Sequence, residues 1–320
     1  MLKRGAVAIV ACGACALALW LILLRPEPAR QPASAAAPGS AVAYGSATRT
    51  QSSAAEPADL RTVQAVDPAL FASGACMAFP PTDGDRHETV FLDAGHGGLD
   101  PGAVGTTQAG ATVEESTVNL AIELDTTAIL RAQGYRVVVS RTANSSVTRL
   151  TPGDVDGRLL TVQGVFNDVT ARAVCANMAK ANVLVGIYMD SGASWDAGCI
   201  TGYDQDRPFS RQNLRLATLL QRDVLGAMNA QRWDIPDEGV QNDTGLGSAL
   251  TAAAEAYNHL LLLGPAKKGY FKTPSQMPGA LIEPLFVTDP FEGSIAASAH
   301  GQQVIARAMA EAVDQYFAAP

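Results

Sequence analysis

Short apolar runs alternate with amphipathic stretches along most of the chain after residue 87. Runs such as 88–93 and 135–140 are rich in β-branched and aromatic residues, as buried strands are. Between these two runs, Val118, Ile122 and Ile129 share one helical face, and Gly134 is placed to end that helix. The full pattern predicts strands at 88–93, 135–140, 183–188, 259–263 and 280–283, and helices at 115–133, 167–181, 210–230 and 294–317.

This order of strands and helices predicts the fold class. Strands that alternate with helices usually form a sheet that is covered on both faces. We therefore predict an α/β domain with a mixed, largely parallel sheet and helices on both of its faces. Residues 88–320 form this domain, residues 61–87 form its edge, and the long stretch 143–166 is an inserted loop.

The N-terminal residues predict export. Lys3 and Arg4 precede the uncharged run 5–24, which as a helix would span about 30 Å, the thickness of a bilayer core. A cleavable signal is the alternative, but no small-residue cleavage site follows the run closely. We predict an N-terminal transmembrane helix within residues 1–25 that anchors an exported protein, followed by a flexible linker of Ala, Ser and Pro at 26–60.

Composition and charge exclude some classes of protein. The chain has 320 residues, of which 48% are hydrophobic and 17% charged, as in a globular protein. Its formal net charge of −8 disfavours nucleic acid as a partner. Outside the predicted anchor lie Cys76, Cys175 and Cys199, an odd number that allows one internal disulfide. The sequence does not decide the pairing; Cys175 with Cys199 is our working choice.

Three residues are candidates for chemistry. His96 lies in a glycine-rich turn that directly follows a predicted strand, where open α/β sheets place their ligands. An imidazole there suits a metal ligand or a general base, although a turn can also carry a histidine by chance. Glu283 ends an apolar strand and suits a general base. Glu115 begins a helix, where the helix dipole alone would explain an acidic residue.

Several ordered motifs resemble those of one enzyme family. The segment Phe91-Leu92-Asp93-Ala94-Gly95-His96-Gly97-Gly98 resembles the opening motif of zinc-dependent N-acetylmuramoyl-L-alanine amidases of the Amidase_3 type. The resemblance covers residues 88–317 and continues in order with these motifs: Glu115 before Val118-Asn119-Leu120-Ala121; Ser140-Arg141-Thr142; Ala171-Arg172 with Ala176-Asn177; and Leu281-Ile282-Glu283 with Phe286.

The resemblance implies a reaction and a site. His96 and Glu115 would hold zinc together with a second histidine, and Glu283 would be the catalytic base. Asn177 is a candidate for substrate binding. The protein would hydrolyse the amide between N-acetylmuramic acid and L-alanine, with peptidoglycan and the membrane as its partners, facing the cell wall or periplasm of a bacterium.

One position departs from the family pattern. Tyr188 stands where the resemblance places the second histidine, and a neutral phenol is a poor zinc ligand at pH 7. Three interpretations are open: another residue, Asp190 or His259, completes the site; Tyr188 binds as a phenolate; or the metal site is lost. The third interpretation leads to a different class of function, a catalytically inactive module that binds peptidoglycan or a cell-wall partner.

Overall fold

The sequence's apolar runs become the central strands of one sheet. In the computed structural model, which describes residues 63–246 and 251–318, the strands are β1 (Gln64–Ala65), β2 (Ala75–Phe79), β3 (Thr89–Ala94), β4 (Val104–Thr106), β5 (Thr112–Glu114), β6 (Arg136–Arg141), β7 (Val155–Asp156), β8 (Leu159–Leu160), β9 (Val183–Ile187), β10 (Cys199–Tyr203), β11 (Asp237–Asn242) and β12 (Gly279–Glu283). The helices are α1 (Glu115–Ala132), α2 (Val162–Met178), α3 (Ser210–Ala230), α4 (Ala252–Tyr257), α5 (Pro290–Ala296) and α6 (Ala299–Ala318).

Eight of these strands form the main sheet, in the order β1-β2-β6-β3-β9-β12-β10-β11. The four central strands, β6, β3, β9 and β12, are parallel, whereas β2 is antiparallel to β6 and β10 is antiparallel to β12. The sheet is thus mixed and largely parallel, as predicted. The carboxyl ends of β3, β9 and β12 therefore meet at one edge, which is where such sheets bind ligands.

Both faces of the sheet are covered. One core packs α1, α3 and α6 against one face, with Ile122, Leu220 and Ile305 among its fully buried side chains. The other core packs α2 against the opposite face, around Phe91 and Leu184. The predicted two-sided cover is confirmed.

Three predicted elements differ from the observed ones. The run 259–263 is a turn rather than a strand: Leu262 and Leu263 are buried because they pack on the α2 face of the sheet. The C-terminal helix is broken into α5 and α6, because the Ser298 hydroxyl accepts the amide of Gly301 and starts a new helix. The stretch 143–166 is not a plain loop. It contains a 3-10 turn at Pro152–Asp154, the β7–β8 hairpin and the first turn of α2.

The disulfide joins Cys76 to Cys175, so the working choice of Cys175 with Cys199 is wrong. Cys76 lies on β2 and Cys175 on α2, and both belong to the core on the α2 face. Cys199 is a buried free thiol on β10 in the other core. Because the sheet separates the two cores, Cys175 cannot reach Cys199.

The predicted anchor (1–25) and linker (26–60) lie outside the described residues. Within the described part of the chain, no helix has the length and apolarity that crossing a membrane requires.

Candidate functional site

His96 lies in a turn whose backbone is held in an unusual conformation. Its φ is 60°, and Gly97 and Gly98 follow with φ of 130° and 65°. A non-glycine residue in the left-handed region costs energy and is typical of functional sites. The imidazole Nδ1 lies 2.9 Å from the Asp100 carboxylate. Asp100 therefore orients the ring and leaves Nε2 to face the site, as a carboxylate partner does for metal-binding histidines.

Glu115 faces the same point from the start of α1. Its Oε1 lies 3.2 Å from His96 Nε2. The carboxylate is buried and accepts the backbone amides of Ala103 and Met189, at 2.8 and 3.0 Å. Gly102 leaves room for it, since a Cβ there would lie 2.5 Å from Glu115 Oε2. Glu115 is therefore fixed in the site and does more than complement the helix dipole.

These contacts set the charge states of the pair. Burial opposes a charged imidazole, but Glu115 and Asp100 outweigh it and raise the pKa of His96 to about 10. Burial likewise opposes a charged Glu115, and His96 together with backbone amides lowers its pKa below the ordinary value. Without a metal ion, the half-buried His96 and the buried Glu115 form an ion pair, and a metal ion bound to Nε2 would replace the imidazole proton.

Glu283 and Asp190 bring two more carboxylates to this edge. Glu283 ends β12, and Asp190 follows β9, where its backbone pairs with Phe286. Burial raises the pKa of Glu283 well above its ordinary value, and repulsion from Asp190 and Glu115 raises it further. Burial also raises the pKa of Asp190, to about 6, with Glu115 among the groups that add to the shift. This edge therefore brings together carboxyl groups that repel one another, and burial with that repulsion favours their uncharged forms.

His96 and Glu115 have the spacing of two ligands of one metal ion. Two ligands of one tetrahedral zinc, each bonded at about 2.0–2.2 Å, lie roughly 3.3 Å apart. His96 Nε2 and Glu115 Oε1 are 3.2 Å apart. Asp190 and Glu283 add two carboxylates whose repulsion a divalent cation would relieve.

Tyr188 does not point its hydroxyl at this pair. The hydroxyl donates to Asp93 Oδ2 at 3.1 Å, while the ring meets the His96 ring edge-on at a centroid distance of 5.5 Å. The phenol ring lies over Gly95, where a Cβ would come within 2.3 Å of it. Burial, then Asp93, raises the pKa of Tyr188 well above its ordinary value. The phenol is therefore neutral, and its geometry disfavours the interpretation of Tyr188 as a phenolate ligand.

Two buried arginines hold the backbone of the His96 turn. Arg172 on α2 pairs with Asp93 and Asp168 and donates to the carbonyls of Ala94 and His96. Arg141 at the end of β6 donates to the carbonyls of Ala94, Gly95 and Ser116. Sequence reasoning quoted both arginines as parts of motifs and missed this role. Their burial, which only the fold shows, marks the role, because an arginine is rarely buried unless it is paired.

Glu123 holds together the ends of two strands next to the site. Its Oε1 accepts the amides of Ala94 and Ser140, at the ends of β3 and β6, while Oε2 is buried without a hydrogen-bond partner. Burial raises the pKa of Glu123 to about 8, against the lowering effect of Arg141. The folded protein therefore holds this proton at pH values where the unfolded chain has released it.

We expect stability to fall as the pH rises from about 4.5 to about 8, because the folded state binds more protons over that range. Glu123→Gln keeps a side-chain oxygen that can accept the two amides but does not titrate. In this variant, the decrease in the free energy of unfolding between pH 5.5 and 8.5 should be smaller than in wild type by at least about 1 kcal/mol. Urea unfolding at both pH values measures it, with Glu311→Gln, an exposed glutamate on α6, as the control. An equal decrease in the free energy of unfolding in Glu123→Gln and wild type would contradict the raised pKa of Glu123.

The remaining predicted site residues lie elsewhere. Asn177 donates to the carbonyl of Pro274 and accepts the amide of Gln276, so it fastens a loop. His259 contacts Asp204 and Asp243 through Nδ1. His259 nevertheless lines a cavity of about 270 Å³ that His96, Tyr188 and Glu283 also line. Tyr257 and Tyr270 belong to the same lining.

The family comparison settles where this arrangement belongs. The model of the family Amidase_3, N-acetylmuramoyl-L-alanine amidase, matches residues 90–315. The chain belongs to the Amidase_3 family. It is thus assigned to the N-acetylmuramoyl-L-alanine amidase enzymes, and the resemblance drawn from the motifs is confirmed.

Individual relatives agree with the assignment. The chain is 26% identical over 249 residues to the uncharacterized protein YqiI of Bacillus subtilis, an alignment that covers 78% of this chain and 93% of that protein. It is also 26% identical over 245 residues to the N-acetylmuramoyl-L-alanine amidase AmiA of Escherichia coli, which covers 71% of this chain and 75% of AmiA.

Solved amidase structures share the fold. The CwlD amidase of Clostridioides difficile, solved in complex with the GerS lipoprotein, superposes with a TM-score of 0.54 at 22% identity and covers 73% of this chain and 100% of that one. The N-acetylmuramoyl-L-alanine amidase of Clostridium difficile 630 gives a TM-score of 0.50 at 23% identity, covering 72% and 97%.

Proposed function

We propose that this protein hydrolyses the amide between N-acetylmuramic acid and L-alanine in peptidoglycan, with zinc held by His96, Glu115 and Asp190. The observation that carries the proposal is the oriented pair of His96 Nε2 and Glu115 Oε1, 3.2 Å apart at the carboxyl end of the sheet. Membership of a family whose enzymes are generally zinc-dependent supports it. A zinc ion there would polarise the amide carbonyl and acidify water.

Asp190 is the residue we assign to the position left open by Tyr188. It lies two residues beyond Tyr188, and its carboxylate interacts electrostatically with Glu115 and Glu283. The Tyr188 hydroxyl is committed to Asp93, and His259 Nδ1 is committed to Asp204 and Asp243. The ligand atoms of Asp190, His96 and Glu115 do not all lie within 4.8 Å of one another, so the Asp190 carboxylate would have to turn toward the pair to bind zinc with it.

Glu283 is the group we assign to proton transfer. Glu283 lines the same cavity as His96, where a substrate amide would bind. It would accept a proton from the attacking water and return it to the departing amine of L-alanine. The products are a free lactyl carboxylate on the glycan and a peptide with an N-terminal L-alanine.

The protein's location follows from the same proposal. Its substrate lies outside the cytoplasmic membrane, and the Cys76–Cys175 disulfide suits an oxidising compartment. We propose that the N-terminal apolar run anchors the domain in the membrane facing the cell wall, with peptidoglycan as its partner.

A second candidate function rests on Tyr188. This residue puts a phenol in the place of the family's second histidine. If Asp190 does not complete the metal site, the fold would bind peptidoglycan without cleaving it. The two functions differ in what the full-length protein releases from purified peptidoglycan: free stem peptides or nothing.

A further inference from the structure

Two buried carboxylates meet at the opposite end of the sheet from Glu283. Asp204 follows β10 and Asp243 follows β11, and these two strands are neighbours and parallel. Their carboxyl ends therefore lie side by side. Because β10 is antiparallel to β12, this end of β10 lies beside the start of β12, away from Glu283.

His259 completes this cluster from a third segment. It follows α4 after Asn258, whose left-handed backbone ends the helix. The imidazole Nδ1 lies 3.0 Å from Asp204 Oδ2 and 3.1 Å from Asp243 Oδ1. Within residues 63–246 and 251–318, this is the one group of three acidic, histidine or cysteine side chains whose ligand atoms all lie within 4.8 Å of one another.

The other oxygen of each carboxylate is already used. Asp204 Oδ1 accepts the amide of Asp206, and Asp243 Oδ2 accepts the amide of Leu260. Each aspartate thus fixes its side chain with one oxygen and turns the second oxygen toward the imidazole. The cluster is built by backbone contacts that do not depend on His259.

The donors in this cluster are too few for its acceptors. Nδ1 carries at most one hydrogen, which Asp243 Oδ1 can accept, and Asp204 Oδ2 is buried without a hydrogen-bond partner. Asp204 and Asp243 are both 0% exposed. The nearby Arg207 guanidinium donates to the carbonyls of Leu263, Gly264 and Ser275. A buried carboxylate oxygen with no donor is costly unless a cation occupies the space it faces.

We propose that Asp204 Oδ2, Asp243 Oδ1 and His259 Nδ1 bind a divalent cation, Zn²⁺ or Mn²⁺, at a site separate from His96 and Glu115. Two carboxylates and one imidazole are ligands that both ions accept. The spacings of 3.0 and 3.1 Å suit ligands of one ion bonded at about 2.0–2.2 Å.

The ion would connect the site to the catalytic cavity. It would tie His259, and with it Tyr257 at the end of α4, to the carboxyl ends of β10 and β11. Tyr257 and His259 line the same cavity as His96 and Glu283. The ion would therefore hold this part of the cavity lining in place.

Metal counting on the full-length protein tests the site. The protein is stripped with chelator, dialysed against Zn²⁺ or Mn²⁺, and its bound metal is measured by mass spectrometry. In His96→Ala, which disables the other candidate site, we expect one bound equivalent. His96→Ala with Asp204→Asn should lose it, with affinity lower by at least about 100-fold, and His96→Ala with Asp156→Asn should keep it. Asp156 is the matched control, since it is an exposed aspartate on β7 that is not part of the cluster.

Thermal unfolding supplies a second readout. Asn at 204 keeps the oxygen that accepts the amide of Asp206, so the variant should fold. Zn²⁺ or Mn²⁺ should raise the midpoint in His96→Ala and leave it unchanged when Asp204→Asn is added. Equal metal binding with and without Asp204→Asn would overturn the proposal. A second result would also overturn the proposal: Asp204→Asn raises the unfolding midpoint in chelator, and metal changes the midpoint of neither protein. The cluster would then be a protonated histidine between repelling carboxylates. Neither result bears on the proposed amidase activity, which this assay does not measure.

Discussion

Replacing Glu283 by glutamine is expected to lower the rate of stem-peptide release by about 10²–10⁴-fold, the usual contribution of a positioned general base. Glutamine keeps the shape of the side chain and accepts no proton from water. Burial and repulsion from Asp190 and Glu115 already favour the uncharged form of Glu283, so an uncharged glutamine should not lower the free energy of unfolding. A large loss of activity in a protein of undiminished stability is the expected combination.

Two measurements make this result specific. Peptide release is followed by mass spectrometry, and stability by urea unfolding on the same preparations. Glu114→Gln is the matched control, because Glu114 is an exposed glutamate beside Glu115 that lies outside the cavity. Release by Glu283→Gln within a factor of ten of wild type would rule out Glu283 as the base.

Replacing Arg172 by methionine is expected to destabilise the protein by about 3–5 kcal/mol, the cost of removing one partner from a buried ion pair. The Arg172 side chain is 1% exposed and pairs with Asp93 and Asp168, which are also buried. Its loss leaves both carboxylates without their cation and releases the carbonyls of Ala94 and His96. The turn that aims the His96 ring should loosen, so activity should fall as well.

Arg222→Met is the control for this substitution. Arg222 pairs with Asp223 on the surface, with 57% of its side chain exposed, and such pairs contribute about 0–1 kcal/mol. Urea unfolding of both variants measures the difference. A loss below about 1 kcal/mol for Arg172→Met would show that the buried network does not hold the turn.

The parts of the fold that sequence reasoning predicted are those that depend on local pattern. The parallel strands β3, β6 and β9 are continuous apolar runs, which only a sheet covered on both faces can bury. The His96 turn follows a strand and carries the glycines its backbone requires at 97 and 98. Position in the chain therefore marked His96 and Glu283 as candidates, whereas Glu115 became a candidate ligand through the family resemblance. The structure brings Glu115 to within 3.2 Å of His96, and the roles of all three residues stay proposals.

The parts that sequence reasoning missed depend on contacts between distant segments. Cys76 and Cys175 are 99 residues apart, and only the packing of α2 against the sheet shows that they meet. The run 259–263 is apolar because it packs on the sheet, and a short apolar run looks the same in a turn as in a strand. No local signal placed His259 with Asp204 and Asp243, which lie on three separate segments.

The chemistry of the released product is the most direct test of the central claim that this chain is a working amidase despite Tyr188. Full-length protein is incubated with purified peptidoglycan, with and without chelator followed by added zinc, and the soluble products are identified by mass spectrometry. We expect free stem peptides that begin with an unblocked L-alanine, lost with chelator and restored by zinc. Retention of the protein on peptidoglycan with no released peptide, whatever the metal, would contradict the claim and identify a wall-binding module instead.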